Sequence, residues 1–144
     1  MFKCVNATVP SFVVPYVTCH EIGHQVGYAT EDEASFAGFL AVKSLNNKLF
    51  NYSMYFDLFS YANSELFVRD SVAARNNFHL LDTLVRKDQK FYRQFLLAHK
   101  NPIEPWITKF YSAYLKANNQ PQGIETYSEI TAWLVAYQKK YHHL

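Results

Sequence analysis

The chain has 144 residues, 49% hydrophobic and 18% charged, enough for one domain with a substantial core and too apolar for a disordered chain. A net charge of +2 gives no electrostatic footprint for nucleic acid. Twelve Phe and eleven Tyr against only four Gly and five Pro disfavour an all-β sandwich and point to an all-α bundle of about six to seven helices.

Residues 1–14 carry β-branched residues and Pro10 without a helical period, and are read as an extended lead-in supplying at most one short strand. Pro15 suits the first turn of a helix, where its missing N–H is not needed, and Gly27 is a natural stop after Val26. Thr18, Ile22 and Val26 repeat at four-residue spacing and are expected to be the buried stripe of this helix. Thr30 to Glu33 has the capping-box pattern that opens a second helix, running to about Leu45. Phe36, Phe39 and Leu40 mark one side of it; Ala34, Ser35, Gly38 and Ala41 make a small-residue side that admits a close neighbour.

After a break at Asn46 and Asn47, residues 49–68 are aromatic almost all round, which predicts a helix buried on more than one side. Phe50, Met54, Leu58 and Ala62 form one stripe. Residues 71–100 read as one long helix or two shorter ones, with Phe78, Leu81, Leu84 and Val85 inward in the first half and Phe91, Phe95 and Leu96 in the second. Pro102 and Pro105 separate this from a further helix. A second capping box, Thr126 to Glu129, opens the last, whose stripe is Ile130, Leu134, Tyr137 and Tyr141. Residues 1–144 are thus expected to form a single helical domain. No apolar run approaches the roughly 20 residues of a membrane span.

His20-Glu21-Ile22-Gly23-His24 is H-E-x-x-H. Four residues apart on a helix, the two imidazoles project from one face and can share one Zn²⁺. Glu21 lies beside that face, where it can take a proton from water activated by the metal. A third protein ligand is needed. Glu31, Asp32 and Glu33 return soon after Gly27. The capping box commits Glu33 to the Thr30 backbone, so Glu31 is preferred over Glu33, and it heads the small-residue face that could lie against the metal helix. Cys19 points about 100° away from His20 and reads as a core thiol. His79, His99, His142 and His143 read as ordinary surface or core histidines. Tyr28, Tyr55 and Tyr61 are candidates to stabilise an oxyanion, with aromatic core as the plain reading of each.

At VPYVTCHEIGHQVGYATEDEASFAGFLA and again at AYLKANNQPQGIETYSEI, the chain resembles the bacterial domain of unknown function 3810 family. The resemblance implies a domain of zinc-peptidase character forming the C-terminal part of a longer membrane protein. Membrane association, exposure outside the cytoplasm and an unidentified peptide or protein substrate are expectations of the same origin. EDEASFA also resembles the E-x-x-A-[DNS] segment of gluzincin peptidases, which implies Glu31 as third ligand and Ser35 beside the ligands. Gluzincins place this Glu much further downstream. Gly27 instead matches the glycine of the metzincin pattern, in which Thr30 takes the place of the third histidine. The leading expectation is a zinc metallopeptidase with His20, His24 and Glu31 on the metal and Glu21 as general base. The alternative is a metal-binding but inactive sensor or interaction domain, since the roughly 14 residues before the H-E-x-x-H helix cannot build the sheet edge on which zincins hold peptides.

Overall fold

The computed structural model describes residues 9–98 and 129–144. Among them are six helices and no strand: α1 (Val14–Gln25), α2 (Glu31–Leu45), α3 (Lys48–Arg69), α4 (Ser71–Leu80), α5 (Thr83–Ala98) and α6 (Glu129–Tyr141). The all-α reading holds. The expected helix after Pro105 and Thr126 of the second capping box lie outside the described residues, as do residues 1–8 of the lead-in.

Local chemistry sets the helix ends. Asn46 turns the chain in the left-handed conformation at φ 47°, and the Asn47 side chain accepts from the Leu49 and Phe50 N–H groups to start α3. Asp70 does the same for α4 at Val72 and Ala73. The 71–100 stretch is two helices, divided at Leu81 and Asp82, with Asp82 accepting from the Leu84 N–H. Gly27, at φ +112°, ends the turn after α1 in a conformation that side chains disfavour.

The core is shared by four helices: Tyr16 from α1, Phe39 and Val42 from α2, Met54 and Leu58 from α3, and Ile130 and Leu134 from α6. α1 packs most extensively on α2 and then on α3. The Tyr16 N–H, in the first turn of α1 where no helical acceptor exists, donates to Ser53 Oγ of α3 at 3.0 Å. α5 lies along α3 through Tyr52 Oη to Asp88 at 2.5 Å, Gln89 to Ser60 at 2.9 Å and the Phe56–Tyr92 ring pair.

Expected faces on three helices are different. Ile22 and Val26 are exposed at 49% and 69%; α1 buries Tyr16 and Gly23 instead. The reason is at the α1–α2 contact, where an ideal Cβ on Gly23 would stand 3.1 Å from the Ala34 backbone, and one on Gly38 would stand 3.3 Å from the His20 nitrogen. Close approach of two small-residue faces, rather than apolar character, decides which side of α1 is inside. On α2, Ala34, Ser35 and Gly38 are buried as expected, whereas Ala41 and Leu40 are exposed. On α5, Leu84, Phe91 and Leu96 stay more than 40% exposed among the described residues.

Candidate metal centre

The tight α1–α2 contact brings the H-E-x-x-H face against the first turn of α2. α2 begins with a complete capping box: the Glu33 N–H donates to Thr30 Oγ1 at 3.1 Å, and the Thr30 N–H donates to a Glu33 carboxylate oxygen at 3.2 Å. Glu33 is thereby occupied at the helix start, and Glu31, two residues earlier, projects toward α1.

His20, His24 and Glu31 converge, each offering one ligand atom within 4.8 Å of the others. His20 Nε2 is 3.1 Å from one Glu31 carboxylate oxygen and His24 Nε2 is 3.5 Å from the other. Two ligands held 2.0–2.1 Å from a tetrahedral Zn²⁺ stand about 3.3 Å apart; each histidine–carboxylate spacing is close to this, though each is to a different oxygen of Glu31. The imidazole planes are nearly perpendicular, with ring centroids 4.8 Å apart.

The outer nitrogens show how the rings are aimed. His24 Nδ1 lies 2.9 Å from the Tyr28 carbonyl oxygen. A carbonyl can only accept, so Nδ1 carries the hydrogen, and the Nε2 lone pair of neutral His24 is free for a cation. His20 Nδ1 lies 3.0 Å from Ser35 Oγ, which can accept in the same way. Ser35 is itself fixed: it is buried, and its carbonyl accepts from Tyr16 Oη at 2.7 Å. Metal-binding histidines are commonly oriented by such outer hydrogen bonds. The histidine side chains are 17% and 23% exposed, whereas Glu31 is 80% exposed. The group is therefore backed by protein and open to solvent at the carboxylate side, where water or a substrate could approach. Two imidazole nitrogens and one carboxylate form a donor set that suits zinc.

Glu21 follows His20 on α1, is partly buried and is not among the three converging groups. Cys19 packs at the edge of the core, and burial raises its thiol pKa; it is not in the group. His79, His142 and His143 are exposed, and His99 lies outside the described residues.

The three candidate tyrosines separate. Tyr55 accepts from Lys43 Nζ at 3.3 Å. Tyr28 serves through its backbone carbonyl, a role that side-chain reading could not supply. Tyr61, still 47% exposed, is pushed up to about 12 by partial burial and by the charges of the Asp57, Glu31 and Asp32 carboxylates. Asp57, missed in the sequence, is pushed up to about 6 by burial. Its charge adds to burial in raising the phenols of Tyr16, Tyr61 and Tyr92.

Compared with known proteins, the chain is matched over residues 3–135 by the model of one family, described as Protein of unknown function (DUF3810). No curated protein and no solved structure matches the chain.

Proposed function

The chain belongs to the DUF3810 family, whose description names no activity, and from its side-chain geometry we propose that it is a zinc-dependent peptidase domain. The observation that carries this reading is the aim of the two histidines: each has its outer nitrogen hydrogen-bonded and presents Nε2 to a different oxygen of Glu31. An ion pair between surface groups would not need both rings fixed from behind. A cation shared by three ligands would.

In this reading His20, His24 and Glu31 hold the metal. Zinc, when bound, supplies a Lewis acid that acidifies water and polarises a carbonyl. Glu21 receives the proton from the attacking water and passes it to the leaving amine. The Tyr28 carbonyl keeps His24 in the tautomer that binds metal, and Ser35 Oγ holds His20 by its Nδ1. The exposed side of Glu31 is where a peptide would enter. Attachment to a membrane through other segments of a longer parent belongs to the same proposal. No helix of the described residues is long and apolar enough to cross a membrane.

The test is hydrolysis of a broad peptide library by zinc-loaded protein. Glu21→Gln is expected to keep the metal and lower turnover at least 100-fold. Retention of turnover in Glu21→Gln would refute the assigned base. A second reading, a metal-binding domain that does not cut peptides, is favoured by one observation: no strand of the described residues lies beside the centre to pair with an extended peptide. Stoichiometric zinc with no cleavage of any library member would select it.

A further inference from the structure

A cavity of about 540 Å³ lies between α2 and α6, within the size range of ligand pockets. Its walls are aromatic and aliphatic: Tyr28, Phe36, Leu40, Trp133, Tyr137 and Tyr141. The Phe36 and Trp133 rings meet edge to face at 5.6 Å, joining the two helices across it. Among the described residues on its walls the two charged ones, Glu33 and Lys140, both have partners. A Glu33 oxygen accepts from the Thr30 N–H, and Lys140 Nζ sits 5.1 Å from the centre of the Tyr141 ring. The cavity therefore suits an apolar group and offers a charged one little compensation for losing its water.

Two contacts tie this cavity to the metal group. Tyr28 lines it and holds His24 through its carbonyl. Asp32, next to Glu31, accepts from the Ile130 N–H at 3.3 Å and so anchors the first turn of α6, the far wall. Phe36, Ala37 and Leu40 lie on the face of α2 opposite Ala34, Ser35 and Gly38, which meet α1. The cavity is thus behind the helix that carries Glu31, reached around its N-terminal end. A helix with its side chains is about 10–12 Å across, and an extended chain covers about 3.3–3.6 Å per residue, so three or four residues span the distance.

We propose that this cavity is a subsite of the peptidase centre that takes one large aromatic or branched aliphatic side chain of the substrate, three or four residues from the bond that is cut. This rests on the peptidase reading above. The test scans Phe, Leu, Ala, Asp and Lys through each position, four residues to either side of the cut, in fluorogenic peptides. Preference for Phe or Leu over Ala of at least about 10-fold in kcat/KM is expected at one position three or four residues away, and is expected to vanish in Ala37→Leu and in Ala136→Leu, which fill the cavity from opposite walls. Preference confined to the residues flanking the cut, or surviving both variants, would overturn the subsite.

A binding measurement separates this from failure of the peptidase reading. Trp106→Phe leaves Trp133 as the sole tryptophan. In that background with Glu21→Gln, a peptide carrying Phe at the selected position, or at each position in turn if none is cut, is expected to change Trp133 emission saturably, while its Ala counterpart does not. Binding without cleavage sinks the peptidase and keeps the cavity as a peptide site. Cleavage with a silent Trp133 does the reverse. Variants are scored only when their circular dichroism melt matches the parent.

Discussion

Replacing Gly23 by alanine puts a methyl group where the two site-bearing helices touch. The new Cβ would lie 3.1 Å from both Cα and the carbonyl oxygen of Ala34 and 3.3 Å from its Cβ. Carbon atoms settle at about 3.5–4.0 Å, and backbone atoms cannot rotate away, so α1 and α2 must part by roughly 0.5 Å. Overpacking of this kind costs about 1–3 kcal/mol, while alanine in place of glycine returns about 1 kcal/mol of helix propensity. The net expectation is a loss of about 0–2 kcal/mol in urea unfolding of metal-free protein. The effect on metal should be larger in proportion. Ala34 is one turn from Glu31, and a ~0.5 Å shift exceeds the roughly 0.2 Å within which metal–ligand distances are held. Zinc affinity, measured by competition with a chromophoric chelator, should fall at least about 10-fold. A Gly23→Ala protein that is about 1 kcal/mol more stable, with unchanged zinc affinity, would refute the argument that close approach sets the site.

Ser35→Ala removes the hydrogen-bond partner of His20 Nδ1 while keeping the carbonyl that Tyr16 uses; zinc affinity should fall about 10–100-fold with the fold intact, and an unchanged affinity would show that His20 needs no such support. Asp57 gives a pH signature. Its carboxyl is raised from 3.8 to about 6 in the folded chain, so its ionisation opposes folding. The cost is absent below the unfolded value and complete above the folded one, and stability contributed by this group is lost as pH rises through 6. About two units correspond to at most about 3 kcal/mol. Asp57→Asn should therefore gain stability relative to the parent between pH 4 and pH 7 in urea melts; a constant difference across that range would contradict the burial argument.

What could be read from the sequence was local. The capping box, the Gly27 stop and the Asn46–Asn47 break depend on a few neighbouring residues, and the structure has each in place. The choice of Glu31 over Glu33 for the converging group followed from the same box, since one carboxylate cannot both cap the helix and reach α1. The buried stripe at Ile22 and Val26 failed because periodic apolar residues were assumed to point inward. Glycine at positions 23 and 38 lets the backbones come close instead, and the polar H-E-x-x-H face goes with them. The Tyr28 carbonyl and the Asp32–Ile130 bond carry no side-chain signature in sequence. Asp57 was hidden for a related reason: within an aromatic helix it looks like one solvated acid until the fold partly buries it.

The most direct measurement is the zinc content and affinity of protein prepared without chelators, for the parent chain and for His20→Ala, His24→Ala and Glu31→Ala. One zinc per chain is expected in the parent, with binding reduced by orders of magnitude in each variant while the helical circular dichroism is retained. A parent chain that takes up no zinc, or zinc that stays bound after any two of these residues are replaced, would contradict the account.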